Sequence, residues 1–193
     1  MKATFIYARQ FLPSEVTDLQ QILNQLPTTF ILGIHTPFEK RLQAYKVLHQ
    51  VHTPGIAVTL HRPAHLLLDM LQAQGLPTEK LYFIDAISKQ IQSGFELSNA
   101  SYVGAPFDLG RLDQALEHVI PQHGGIGKKF LILDSLSDLF HYYDEATILS
   151  FLDYFLDKMR RLQVNPIIMY DKGRLTRRII KRLQLYCNHL VEV

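Results

Sequence analysis

The chain has 193 residues, 47% hydrophobic and 20% charged, with a net charge of +2. That balance fits one folded domain of ordinary size and excludes a disordered or fibrous class. No apolar run approaches the roughly 20 residues of a membrane span, the N-terminus lacks a signal-peptide pattern, and the single Cys187 can form neither an internal disulfide nor a thiolate metal site. The expectation is a cytoplasmic protein with no membrane contact.

In chain order, residues 2–9 begin with the β-prone run Thr4-Phe5-Ile6-Tyr7. Ser14, after Pro13, is placed to cap a helix carrying Val16, Leu19, Ile22, Leu23 and Leu26. Residues 28–34 read as a core strand ending in Gly33-Ile34-His35. A helix follows at once, with Phe38, Leu42, Tyr45 and Leu48 on one stripe and His52-Thr53-Pro54-Gly55 as its terminator. Residues 56–60 form the next strand, and Pro63 fits the first turn of a helix carrying Leu66, Leu67, Met70 and Leu71, with Gly75 as C-terminal cap.

Residues 81–84 form a third core strand, closed by Asp85. The pattern of residues 86–106 assigns no element. Asp108 can cap a helix presenting Leu112, Leu116, Val119 and Ile120, after which Gly124-Gly125-Ile126-Gly127 turns the chain into the run Phe130-Leu131-Ile132-Leu133. Four consecutive apolar residues suit a strand buried on both faces of a parallel sheet, and Asp134 ends it. Asp144 opens a long helix with Ile148, Leu149, Leu152, Phe155, Leu156, Met159 and Leu162 at three- and four-residue spacing. Residues 164–170 make a fifth core strand, 174–185 a basic helix with Leu175, Ile179 and Leu183 inward, and 190–193 a short terminal strand. Strictly alternating strands and helices predict a three-layer α/β domain, a mostly parallel sheet with helices on both faces. Its buried set includes Ile31, Val58, Ile84, Ile132 and Ile168.

Charge is uneven. Residues 158–182 hold nine Lys or Arg and one acid, Asp171, a local +8 in a chain of net +2. Arg174, Arg177, Arg178, Lys181 and Arg182 form a candidate anion or nucleic-acid surface, for weak and salt-dependent binding because no aromatic base-stacking pattern accompanies them. The pairs His61/His65 and His49/His52 have helical spacing but no acidic or Cys partner at motif distance, so no metal site is expected. Ser135 and Ser137 near Asp134 and His141 supply the residue types of a hydrolase triad without the Gly-x-Ser-x-Gly elbow, and turn hydrogen bonds explain them better. Gly124-Gly125-Ile126-Gly127-Lys128-Lys129 precedes a strand instead of opening a helix, which makes it a glycine turn rather than a phosphate loop.

The segment Leu-Ile-Leu-Asp-Ser-Leu-Ser-Asp-Leu at 131–139 resembles the Walker B segment of RecA/KaiC-like ATPases. The elements of that family line up in order over a core of about residues 28–172. Residues 1–27 form an N-terminal strand and helix extension, and 173–193 a basic C-terminal helix and strand, all within a single domain. The resemblance implies a RecA-like core and a vestigial nucleotide site, with no catalytic residue, at Gly33, His35, Thr36, Glu39, Lys40, His61, Arg62, Asp134 and Ser135. Two departures stand out. Residues 33–40 lack the second Gly and the Lys-Ser/Thr pair, and His61-Arg62 occupies the place of the catalytic Glu. Thr36-Pro37-Phe38-Glu39 instead spells a capping box, with Thr36 as N-cap and Glu39 at the third position.

The expected function is therefore a catalytically inactive RecA/KaiC-like domain, a regulatory or protein-interaction module that self-associates or binds a partner, with no cofactor. The alternatives are an atypical ATPase or transferase that uses Asp134 with Mg²⁺ and binds ATP phosphates through Lys40 or Arg62, and a weak nucleic-acid binder.

Overall fold

The computed structural model describes residues 16–51, 55–92, 94–105, 107–123 and 129–193. Helix α1 (Val16–Gln25) leads into β1 (Leu32–His35), a 3-10 turn and α2 (Arg41–Val51). Then come β2 (Ile56–Thr59), α3 (Ala64–Ala73), β3 (Tyr82–Asp85), β4 (Ala100–Tyr102), α4 (Leu109–His123) and β5 (Lys129–Asp134). The chain finishes with α5 (Glu145–Arg161), β6 (Val164–Tyr170), α6 (Arg177–Tyr186) and β7 (His189–Glu192). All strand pairs are parallel, in the order β4-β3-β2-β5-β6-β1-β7.

Parallel neighbours need crossovers, and the helices supply them on both faces. One apolar layer joins α1, α2 and α3 to the sheet through Leu19, Leu23, Tyr45, Leu48, Leu67 and Leu71. The other joins α4, α5 and α6 through Leu112, Leu116, Leu152, Phe155, Ile179 and Leu183. Ile31, Val58, Ile84, Ile132 and Ile168 are all buried, as their runs predict.

The polar ends of the elements follow local chemistry. Asp144 Oδ1 accepts from the Thr147 amide at 2.9 Å and caps α5. Asp108 Oδ1 does the same for the Arg111 amide at 2.8 Å. Gly75, just past α3, takes φ of 69°, the left-handed conformation that ends helices. Pro63 is extended and immediately precedes α3 rather than lying in its first turn. The α3 amide end is instead held by Asp85, whose Oδ2 accepts from Ala64 N at 2.6 Å while Oδ1 binds the Ile87 and Ser88 amides.

Leu67 and Leu71 are buried, but Leu66 and Met70 are exposed, because a helix lying on a sheet buries one stripe and these two lie beside it. The unassigned stretch contains β4, which pairs with β3 at the sheet edge. Arg174 ends a separate 3-10 turn, so the basic helix begins only at Arg177. The proposed strand at 2–9, the Ser14 cap, His52-Thr53-Pro54 and the 124–127 glycine turn lie outside the described residues. Among the described residues no helix is long and apolar enough to cross a membrane.

Candidate functional site

Strands β1 and β6 are neighbours, yet α2 leaves β1 toward one face and α6 leaves β6 toward the other. Such a divergence opens a crevice at the carboxyl ends of the strands, where ligands bind in open α/β sheets. His35 closes β1, His61 follows β2 and Asp134 closes β5 along this edge.

The centre of the edge is Arg41, the first residue of α2, only 2% exposed. Its Nη2 donates to Ser135 Oγ at 2.8 Å and its Nη1 to Asp138 Oδ2 at 3.1 Å. Nη1 also lies 3.2 Å from Oδ1 of Asp134, which is 1% exposed, and 2.8 Å from His61 Nδ1. Ser135 Oγ donates to Asp138 Oδ2 at 2.7 Å, Arg174 Nη1 donates to Asp138 Oδ1 at 2.8 Å, and Tyr45 reaches Asp134 Oδ2 with its hydroxyl at 3.3 Å. The Asp134–Ser135 peptide is cis.

The two carboxylates differ electrostatically. Burial pushes the Asp134 carboxyl up to about 6, against the pull of Arg41. Burial would raise Asp138 too, but Arg41, the Ser135 hydroxyl, His61 and Arg174 outweigh it and hold Asp138 below the ordinary carboxylate range. Burial and then Arg41 lower His61 to about 4, so its ring is neutral near pH 7. Burial, reinforced by the Asp134 charge, raises the Tyr45 phenol well above its usual value.

The structure brings His61, Arg62, Asp134 and Ser135 together and leaves the first-strand residues elsewhere. Gly33 lies within β1, where a Cβ would overlap the Leu190 side chain, so it serves the close approach of β7. His35 Nδ1 accepts from the Lys172 amide at 3.2 Å, and its Nε2 faces Glu192 at 3.5 Å. Glu39 and Lys40 are exposed in the 3-10 turn. The capping box is not formed. Thr36 Oγ1 donates to Pro37 O at 3.2 Å, no side chain caps the turn, and the Thr36 amide bonds to Tyr170 O at 2.9 Å. That bond carries Thr36 on as an extension of β1 beside β6 and takes the amide that the Glu39 carboxylate would have bonded.

Ser137 Oγ accepts from Asp171 N at 2.7 Å and His141 Nε2 lies 2.7 Å from Arg174, so the serines and His141 make no triad. His65 stacks on Phe95 rather than joining His61, and among the described residues no three ligand side chains could hold a metal. The basic surface is largely matched by acids. Arg174 pairs with Asp138, Arg178 with Glu145 and Arg182 with Asp153, while Arg177 and Lys181 have no ion-pair partner among the described residues. Arg41, Tyr45 and Asp138 are the site residues that sequence reading passed over. Asp138 carries a signal, four residues after Asp134 in the same motif. Arg41 carries none.

Neither a family model nor a curated protein sequence matches the chain. Solved structures do. An uncharacterised protein of Pyrococcus horikoshii, solved in complex with an unknown peptide, is similar with a TM-score of 0.70 and 11% identity, over 91% of this chain and 82% of that one. A KaiC-like protein of the same organism gives 0.55 and 17%, over 86% and 72%. The flagellar accessory protein FlaH of Methanocaldococcus jannaschii gives 0.52 and 12%, over 91% and 76%. The chain has the RecA/KaiC-like three-layer α/β fold.

Proposed function

We propose that this is a RecA/KaiC-like domain whose nucleotide site has been closed by its own side chains and which works as a regulatory or protein-interaction module. The observation that carries the reading is Arg41. Its guanidinium sits between Asp134 and Asp138, hydrogen-bonded to the second and ion-paired with both, and places a cation against the carboxylates that a magnesium ion would otherwise neutralise.

The fold implies a magnesium–nucleotide, and the residues present do not fit one. Five residues join β1 to α2, with no glycine among them, so no wide loop of amides faces a phosphate. Lys40 is exposed on that turn. At the place of a water-orienting carboxylate stands His61, whose neighbours are two arginines. The peptide seen with the Pyrococcus horikoshii neighbour supports the protein-interaction half of the proposal.

The test is steady-state turnover of ATP and GTP with Mg²⁺, alongside Asp134→Asn. Turnover at background in both proteins is expected. Turnover in the wild type that vanishes in Asp134→Asn would overturn the reading in favour of an ATPase that uses Asp134 and Mg²⁺.

A further inference from the structure

His61 is faced by two donors at once. Arg41 Nη1 lies 2.8 Å from Nδ1, and Arg62 Nε lies 2.7 Å from Nε2. A neutral imidazole has one acceptor nitrogen, so it can satisfy one of these arginines and not both. Arg41 is fixed by two carboxylates and Ser135. Besides His61 Nε2, Arg62 meets the Met70 sulfur at 2.8 Å and the face of Phe38, 4.9 Å to the ring centroid. None of these carries the negative charge that would neutralise it. Arg62 is thus a half-buried cation with no ion-pair partner among the described residues.

Around it lies exposed apolar surface. Phe38 is 53% exposed, Leu66 47% and Met70 38%. Leu66 and Met70 are one turn apart on α3, and Phe95, also exposed, stacks on His65 next to them. Scattered apolar residues are ordinary on a protein surface, but here they adjoin one another and a guanidinium with no ion-pair partner among the described residues.

Resting on the interaction-module reading above, we infer that Phe38, Arg62, Leu66 and Met70 form a docking surface for a segment of a partner protein carrying one acidic side chain flanked by apolar ones. The carboxylate takes the fork of Arg62, releasing His61 to Arg41 alone, and the flanking apolar side chains cover Phe38, Leu66 and Met70. Charge complementarity selects this occupant. A purely apolar segment would bury the guanidinium unpaired, and a basic one would repel it.

The experiment pans random linear peptides displayed on phage against the full chain, then measures synthetic consensus peptides by titration calorimetry. The expected consensus has one Asp or Glu between apolar residues. Arg62→Glu should weaken it by at least about tenfold, and a peptide with Lys in place of its acid should regain affinity for Arg62→Glu. Met70→Glu, at an exposed position that does not endanger folding, should weaken binding similarly, while Leu185→Ser, on α6, should leave it unchanged.

Failure to recover binders, a consensus without an acid, or affinity indifferent to Arg62→Glu would overturn the inference. So would sedimentation showing a wild-type dimer that Arg62→Glu dissociates, since the occupant would then be a second copy of the chain. These outcomes are independent of nucleotide turnover, so the docking surface and the closed-site reading can fail separately.

Discussion

Arg41 Nη1 and Asp134 Oδ1 lie 3.2 Å apart, and neither side chain reaches solvent to any useful extent. Their pairing is a condition of the fold as well as a feature of the site. Two carboxylates at the end of one strand and its following turn would otherwise face each other in a medium that solvates neither.

Arg41→Met should therefore destabilise the domain by about 3–5 kcal/mol, the usual effect of leaving buried charge without its partner. Adding Asp134→Asn to that variant should recover part of the loss, because one buried carboxylate is then neutral and Asp138 keeps Arg174. Urea denaturation of both variants checks this. Equal stability of Arg41→Met and wild type would show that water reaches the cluster.

The pH dependence of stability follows from opposed shifts. Folded Asp134 keeps its proton up to about 6 against an ordinary 3.8, so the folded state binds more protons and this contribution falls as pH rises between those values. His61 titrates at about 4 in the fold against an ordinary 6.5, so its contribution rises over that window and is lost on acidification. Asp138, held low, adds stability that is lost as pH falls through its folded value. Asp134→Asn should make stability climb more steeply with pH through this window, and His61→Gln should flatten or reverse the climb. Urea midpoints across the window read the slopes directly.

Gly55 precedes β2 against the backbone of β5, and a Cβ there would run into the Phe130 carbonyl oxygen. Backbone cannot swing aside as a long side chain can. Gly55→Ala should cost about 1–3 kcal/mol through forced separation of the strands. Gly75→Ala, with no neighbour in the way but φ of 69°, should cost less, roughly 1 kcal/mol from the backbone conformation alone. A thermal melt of the two variants orders them.

Nucleic-acid binding through α6 should be weak, because Arg178 and Arg182 are engaged by Glu145 and Asp153. Arg177 and Lys181 remain, so on single-stranded DNA the dependence of log affinity on log salt should have a slope of roughly −1.4. Arg177→Glu with Lys181→Glu should abolish binding, while Arg178→Glu should change it less. Fluorescence anisotropy with single-stranded DNA over a salt series measures both. Tight binding that persists at high salt would contradict the prediction.

The sequence by itself determined the parallel core and most of its punctuation. Phe130-Leu131-Ile132-Leu133 is apolar at every position because a central parallel strand is covered on both faces, and Asp108 and Asp144 cap helices through bonds that span three residues. Such signals are local, so they can be read locally. Tertiary structure decided the rest. Ala100-Ser101-Tyr102 is a strand because β3 offers it a free edge, and the Thr36 amide is bonded by β6 rather than by Glu39. Arg41 meets its partners Ser135 and Asp138 across 94 and 97 residues of chain, a distance closed only by folding the sheet. Whether an aspartate at a strand end faces a metal or an arginine depends on which helix begins beside it, and residue spacing carries no record of that.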